Sequence, residues 1–161
     1  MTETGALLEL GSELQVASPW LGQIRWNAGE ELFFPAGLPG FERCQRMVPV
    51  EIPSQRPLIY LQSAEDAEVC FVAMPVLAVW SGFSLRISED DRAAIGAAED
   101  AAIGMDLLCL ALLLPWGRSV QANLDAPVVV NLHNGCGVQA IAPAGTAGLF
   151  RLSENGWEAA C

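Results

Sequence analysis

Short runs in which apolar and polar residues alternate recur along most of the chain. In FSLRIS, Phe83, Leu85 and Ile87 alternate with polar residues, which is the two-residue period of a strand with one buried face. The longest apolar run, LLCLALLLPW at 107–116, is too short for a membrane helix and favours a buried strand. Because turn residues separate the runs, the pattern predicts a mainly β domain, an antiparallel barrel or sandwich. Further predicted strands are GQIRWN (22–27), LIYLQS (58–63), VCFVAMP (69–75), VQANLDAPVVVNL (120–132), GVQAIAP (137–143) and LFRL (149–152).

One segment, SEDDRAAIGAAEDAAIG, has the composition of a helix and not of a strand. Ser88 and Asp91 are spaced as in a capping box, with Asp in place of the usual Glu or Gln. The acidic residues that follow Ser88 suit the positive end of a helix dipole. We therefore predict one short connecting helix over about 88–104, with Gly96 as a point of interruption and Gly104 as its stop. Its carboxylates are interpreted as a solvated face.

Three short motifs predict turns. In LPGF, Pro39 and Gly40 occupy the central positions of a type II turn, because Pro fixes φ at the first position and Gly accepts a positive φ at the second. In HNGC, Asn134 and Gly135 predict a two-residue type I′ turn, so the flanking runs PVVVNL and GVQAIAP are expected to pair antiparallel. Pro127 has no N–H to donate and predicts a bend or an edge within its strand.

Length and composition indicate a single globular domain with a sizeable core. The chain has 161 residues, and 52% of them are hydrophobic. We predict a flexible N-terminal tail over 1–18, one domain over 19–152 and a C-terminal tail over 153–161. The first ten residues have neither the basic nor the long apolar region of a signal peptide, which predicts a cytoplasmic protein.

The charge of the chain restricts its partners. The formal net charge is −11 at pH 7, and all eight basic residues are Arg. Such a surface repels nucleic acid phosphates and anionic lipids, so we expect neither direct nucleic acid binding nor membrane binding. It attracts basic proteins over long distances. The expected oligomeric state is a monomer.

Residues that could carry out catalysis are few. His133 is the only histidine, and its nearest candidate triad partners are Asp125 and Cys136, but no nucleophile elbow or phosphate-binding loop accompanies them. A metal site at His133 and Cys136 would need at least two further ligands. The five cysteines are widely and irregularly spaced, as is typical of free thiols in a reducing compartment. The sequence therefore predicts a protein that is not an enzyme and uses no metal or cofactor.

Four blocks of the sequence together resemble the FliW flagellar assembly factors. Each block alone is weakly specific, but all four occur in the order and at the spacings of that family. The resemblance covers 22–143 and implies a small antiparallel β pseudo-barrel with a binding function. The blocks are GQIRWNAGEELFFPAGLPGFE (22–42), LIYLQSAEDAEVCFVAMP (58–75), NLDAPVVVN (123–131) and GVQAIAP (137–143).

The resemblance implies a switch between two partners without bond chemistry. FliW-type proteins bind flagellin in the cytoplasm before its export. When they are free, they bind the translational regulator CsrA and prevent it from repressing flagellin mRNA, so flagellin and CsrA compete. Two alternatives stay open: an acidic β-barrel chaperone or adaptor for a different protein, and a hydrolase or isomerase that uses cleft carboxylates.

Positions that match the family motifs supply the predicted contact residues. Phe41 is a candidate exposed aromatic anchor, and the acidic loop AEDAE is a candidate docking site for a basic segment. Asn123 and Asn131 suit contact and structural roles equally, since Asn often satisfies buried backbone groups. Backbone geometry is assigned to Gly37, Pro39, Gly40 and Pro127, and partner contact to Phe41, Glu42, Gln62, Ser63, Glu65, Asp66, Glu68, Asn123, Asn131 and Gln139.

Overall fold

A computed structural model describes residues 13–160, which form a mainly β fold, as predicted. This range contains twelve strands and two short α-helices, with a 3-10 turn at Pro53–Gln55. The strands are β1 (Glu13–Ser18), β2 (Gly22–Asn27), β3 (Leu32–Phe33), β4 (Arg46–Val50), β5 (Ile59–Ser63), β6 (Cys70–Pro75), β7 (Leu107–Trp116), β8 (Ser119–Asn123), β9 (Val128–Asn131), β10 (Gly137–Gln139), β11 (Leu149–Ser153) and β12 (Gly156–Ala159); the helices are α1 (Val76–Val79) and α2 (Glu89–Ala94).

Ten of these strands form one antiparallel sheet, and β1 pairs with β2 in a separate hairpin. The order along the sheet is β12-β11-β8-β7-β6-β5-β4-β3, with β9 also paired to β7 and β10 outside β9. Strands β8 and β9 follow each other along β7, where Ala122 lies opposite Leu113 and Val128 lies opposite Leu110. Across residues 13–160 this order ends at β12 and β3, so the pseudo-barrel is open.

The central strands are buried on both faces and separate two hydrophobic clusters. In β9, Val128 and Val130 belong to one cluster and Val129 to the other. Cys109 and Leu110 of β7 divide in the same way. This arrangement explains why these strands are continuous apolar runs and do not alternate. A third, smaller cluster forms where the β1–β2 hairpin packs Ile24 and Trp26 against Val48.

The predicted connecting helix is present but much shorter than 88–104. Helix α2 begins after Ser88, whose Oγ accepts a hydrogen bond from the Asp91 N–H at 3.0 Å, as the capping motif predicted. It ends at Ala94 because Gly96 has a φ of +67° and the carbonyl of Ile95 is bonded by side chains of another loop. The single-turn helix α1 was not predicted. In the described part of the chain, no helix has both the length and the apolar character needed to cross a membrane.

Both predicted tails contain a strand, and one predicted strand does not form. Residues 13–18 of the predicted N-terminal tail form β1, and residues 1–12 lie outside the described range. Residues 156–159 of the predicted C-terminal tail form β12, because Gly156, at a φ of +99°, turns the chain back onto β11. FSLRIS at 83–88 buries alternate residues, but it pairs with no strand among residues 13–160.

The hairpin predicted from Asn134-Gly135 exists with a different turn. Strands β9 and β10 pair antiparallel, as expected. However, the Asn131 N–H donates to the Cys136 carbonyl and the Gly135 N–H donates to the Asn131 carbonyl, so four residues, 132–135, form the loop. Gly135 still supplies the positive φ, at +74°. The predicted two-residue type I′ turn is therefore wrong, although its glycine is required.

Candidate partner-binding surface

The LPGF motif forms the predicted type II turn and closes a rigid loop. The Phe41 N–H donates to the Leu38 carbonyl at 2.7 Å, and Gly40 has a φ of +87°. Gly37, with a φ of +66°, is more tightly enclosed than Gly40, since a Cβ at Gly37 would lie 2.6 Å from Glu42 Cα. Both glycines have positive φ values, which suits the backbone role assigned to them. The turn therefore holds its neighbouring side chains in one geometry.

The three phenylalanines around this turn differ in exposure. Phe34 is completely buried, whereas Phe33 and Phe41 are 43% and 40% exposed. The Phe41 ring packs edge-on against Phe71 of β6, with ring centroids 5.0 Å apart and planes at 89°. Phe41 is therefore a supported but accessible ring, in the arrangement expected of an aromatic anchor.

Glu42 folds back onto its own turn. One carboxylate oxygen accepts a hydrogen bond from the Gly40 N–H at 2.9 Å. This bond, together with a bond from the backbone of Glu42 itself, lowers the pKa of the Glu42 carboxyl below its ordinary value. Glu42 is exposed and ionised at neutral pH, so it presents a fixed negative charge beside Phe41.

The acidic loop, residues 64–69 between β5 and β6, is held from below by two buried polar residues. The Ser63 Oγ accepts hydrogen bonds from the N–H groups of Glu65 and Asp66 at 3.1 and 3.0 Å. The Gln62 amide donates to three backbone carbonyls of this hairpin at 3.1 to 3.2 Å. Both Gln62 and Ser63 have 0% exposure. They shape the loop and do not contact a partner in this conformation, which corrects the contact role predicted for them.

The three acidic residues of this loop differ in their contacts and in their exposure to solvent. Glu65 accepts a hydrogen bond from the Arg46 N–H at 3.0 Å and lies 3.5 Å from the Arg46 Nε. Asp66 accepts a hydrogen bond from the Glu68 N–H at 3.0 Å. Glu65 and Glu68 are exposed, while Asp66 is half-buried. The loop therefore presents charge from a preformed backbone.

Two residues next to this loop were missing from the predicted contact set. Phe33 lies opposite Arg46 in the β3–β4 pair, and Arg46 contacts Glu65. The Phe33 N–H donates to the Gly135 carbonyl at 2.9 Å, which connects the aromatic loop to the β9–β10 hairpin. The Phe33-Phe34 pair in the sequence was a usable signal, since only one ring of two consecutive residues on a strand can face the core.

We call the exposed rings and acids of these two loops the aromatic–acidic surface. Phe33 lies opposite Arg46, which contacts Glu65 of the acidic loop, and the Phe41 ring packs against Phe71 of β6, the strand that follows this loop. Aromatic rings framed by charge are typical of protein-contact surfaces. The aromatic–acidic surface comprises Phe33, Phe41, Glu42, Glu65 and Glu68.

Three further predicted contact residues, Asn123, Asn131 and Gln139, form hydrogen bonds with the backbone. Asn131 is 4% exposed, donates to the Ile95 carbonyl at 2.8 Å and accepts a hydrogen bond from the His133 N–H at 3.0 Å. Asn123 accepts from the Asp125 N–H at 2.9 Å. Gln139 donates to the Ala126 carbonyl at 2.9 Å. Asn123 and Gln139 hold the backbone near Pro127, and Asn131 joins the end of β9 to Ile95; the contact role of all three stays a prediction.

The Pro127 bend predicted between β8 and β9 is present and is locked by Asp125. The Asp125 carboxylate accepts hydrogen bonds from the N–H groups of Gly145, Ala147 and Gly148 at 2.6 to 2.7 Å. Burial raises the pKa of Asp125, but these three donors outweigh burial and hold the pKa below its ordinary value. The sequence predicted Asp125 only as a possible triad residue, because its backbone donors lie about 20 positions further along the chain.

The side chains considered for catalysis are not assembled. His133 is exposed and its Nε2 lies 2.9 Å from Asp106 Oδ1, so its acidic neighbour is Asp106 and not Asp125. Burial raises the pKa of the Cys109 thiol to about 12 and also raises the pKa of Cys70. In residues 13–160, no three His, Cys, Asp or Glu side chains are grouped as a metal site would require.

The fold and this surface define a small β protein that presents aromatic and acidic side chains from a rigid scaffold. A sequence model described as FliW protein matches residues 15–149, so the chain belongs to the FliW family. The resemblance of the four sequence blocks to that family is confirmed.

Individual relatives agree with this assignment. The chain is 28% identical over 130 residues to the flagellar assembly factor FliW of Syntrophomonas wolfei, covering 80% of this chain and 81% of that protein. It is 30% identical over 129 residues to the FliW of Natranaerobius thermophilus, covering 80% and 84%. A crystal structure of the flagellar assembly factor FliW superimposes with a TM-score of 0.73 at 21% identity, covering 83% of this chain and 92% of that one. This structural likeness confirms the fold.

Proposed function

We propose that this chain is a flagellar assembly factor that works by binding and not by catalysis. It binds flagellin in the cytoplasm before export. When flagellin is absent, it binds CsrA and relieves the repression of flagellin mRNA without contacting the RNA itself. The observation that carries this proposal is the aromatic–acidic surface on a chain of the FliW family.

Within that surface, the aromatic rings and the carboxylates contribute to binding in different ways. Phe33 and Phe41 offer apolar area that a partner can desolvate, which is where hot-spot binding energy concentrates. The carboxylates of Glu42, Glu65 and Glu68 attract a basic partner and raise its association rate. Competition between the two partners follows if both bury the same rings.

The proposal is tested with the full-length chain, purified flagellin and purified CsrA. Phe41→Ala should weaken binding of at least one partner by about 30-fold, the size of a hot-spot truncation. Leu152→Ala is the matched control, because Leu152 is similarly exposed, at 41%, but lies on β11. Normal binding of both partners by Phe41→Ala would contradict the proposed surface.

Competition and capture test the switch itself. Saturating flagellin should prevent CsrA from binding, and a stable complex of all three proteins would contradict the switch. A tagged chain should also recover both partners from a lysate of its own organism, with CsrA lost at high salt because screening weakens charge contacts. Recovery of neither, with an unrelated protein enriched, would favour an adaptor for a different partner.

A further inference from the structure

A groove on this protein is lined by residues outside the aromatic–acidic surface. It is an open groove of about 670 Å³, and none of its lining residues belongs to the predicted contact set. Three segments form its walls: residues 84–88, residues 97–101 and residues 141–143. Its floor includes Leu107, at the start of β7.

One wall of the groove is an extended segment without a neighbouring strand. Phe83 is buried, and Leu85 and Ile87 are half-buried against the larger hydrophobic cluster, so alternate residues of 83–88 face the core with the two-residue period of an extended segment. Within residues 13–160, the N–H and C=O groups of residues 84–87 form no backbone hydrogen bond. Backbone groups held in this way are a template for pairing with another chain.

The segment 141–143 of the groove supplies an apolar contact. Ile141, two residues after the end of β10, has 67% of its surface exposed to solvent. Its position is fixed, because the Ala142 N–H donates to the Asp125 carbonyl at 2.7 Å. A large aliphatic side chain on a fixed backbone beside a groove favours apolar contact with an occupant.

The groove also contains two of the eight basic residues of a chain whose net charge is −11. Arg92 is 3.7 Å from Glu89 and 4.0 Å from Glu99, and both glutamates are almost fully exposed, so these pairs are weak. Arg86 is exposed and forms no ion pair with any residue in 13–160. Arginine binds carboxylates well, because its planar donors match their geometry.

We propose that this groove binds an extended, acidic peptide segment of a partner protein. The segment adds as a strand beside residues 84–87, places a carboxylate near Arg86 and packs an apolar side chain against Ile141. Strand addition draws affinity from backbone hydrogen bonds and specificity from alternate side chains. The positive charge of Arg86 favours a carboxylate at that point of the segment, whereas the aromatic–acidic surface favours basic residues.

The test uses a fluorescein-labelled, eight-residue peptide that alternates glutamate and valine, titrated with the full-length chain at low salt. Arg86→Glu should weaken binding by about tenfold, as expected when a charge pair becomes a repulsion. Arg118→Glu, an exposed Arg on the β7–β8 turn, is the matched control and should change binding by less than about twofold. Glu99→Gln should strengthen binding, because it removes a competing carboxylate beside Arg92.

A second measurement locates the peptide. Hydrogen exchange of the amides of residues 84–87 should slow when the peptide binds, because these N–H groups gain acceptors. A peptide that alternates lysine and valine should give neither binding nor protection. The proposal is overturned if the glutamate peptide does not bind, if Arg86→Glu and Arg118→Glu weaken it equally, or if no amide of residues 84–87 is protected.

Discussion

In the acidic loop at 64–69 the carboxylates of Glu65 and Glu68 reach solvent, whereas at the Pro127 bend the carboxylate of Asp125 is turned inward. Asp125 is 8% exposed and accepts three backbone hydrogen bonds from residues 145–148. Both regions lie in sequence blocks that resemble the same family. Their acids nevertheless have different functions.

The difference shows that burial, more than residue type, determines what a carboxylate does in this fold. A buried carboxylate must receive donors, because an unsatisfied buried charge is strongly unfavourable. It then fixes the loop that supplies those donors. An exposed carboxylate keeps its hydration and contributes little to stability, so its charge is available to a partner.

The largest expected effect on stability is at Asp125, the buried carboxylate of this comparison. Asp125→Asn should lower the free energy of unfolding by about 2–4 kcal/mol, because it removes a charged acceptor and turns an NH₂ group toward N–H donors. Urea denaturation measures this change. The control is Glu68→Gln, which should change stability by less than about 0.5 kcal/mol. Equal losses of stability for the two substitutions would show that buried and exposed carboxylates do not differ in their contribution to the fold.

The stability that the Asp125 carboxylate contributes should depend on pH. The pKa of Asp125 is lower in the folded chain than its ordinary value, so its contribution to stability is present above the unfolded pKa and is lost as pH falls through the folded pKa. The stability difference between the unmodified chain and Asp125→Asn should therefore narrow below about pH 4. Chemical denaturation at a series of pH values checks this, and a constant difference would contradict it.

A smaller loss of stability is expected when Asn131 is replaced, because its side-chain amide joins β9 to the end of α2. Asn131→Ala should lower the free energy of unfolding by about 1–2 kcal/mol, because the Ile95 carbonyl and the His133 N–H lose a buried partner. Asn134→Ala is the matched control, since Asn134 also donates to Ile95, at 3.0 Å, but is exposed. A larger loss for Asn134→Ala would contradict the structural role assigned to Asn131.

Substitutions in the exposed acidic loop should change stability least. Their main effect should be on the rate at which a partner binds. Replacing Glu65 and Asp66 together by Lys should slow association with CsrA by about three- to tenfold at low salt, through lost electrostatic attraction. Because Glu65 contacts Arg46 and Asp66 accepts from Glu68, we also expect a stability loss of about 1 kcal/mol. Stopped-flow association at two salt concentrations measures the rate. An unchanged rate at low salt would show that the acidic loop is not the docking site.

Much of the fold could be predicted from local patterns. The type II turn at Pro39-Gly40, the Ser88 cap and the Pro127 bend depend on residues within a few positions of each other, and all three are present. The helix length was wrong because Asn131 and Asn134, distant in sequence, bond the Ile95 carbonyl where the helix ends.

The candidate site was predicted less well than the fold. Phe41 and the acidic loop were found, because an aromatic ring beside a Pro-Gly turn and a run of acids are local signals. Gln62 and Ser63 were misassigned because polar residues at the end of a strand are usually exposed to solvent. Here both side chains are buried under the loop that they support. Phe33 was missed because its exposure depends on which of two adjacent rings faces the core.

The sequence by itself determined the mainly β fold, the turn positions, the negative charge and the family, since periodicity, turn chemistry and motif spacing are all written along the chain. Only the tertiary structure decided which acids hold the fold and which face solvent. It also showed that residues 83–88 are extended without a strand partner. The reason is physical: exposure and hydrogen-bond partnership depend on contacts between residues far apart in sequence, such as Asp125 with the N–H groups of residues 145–148.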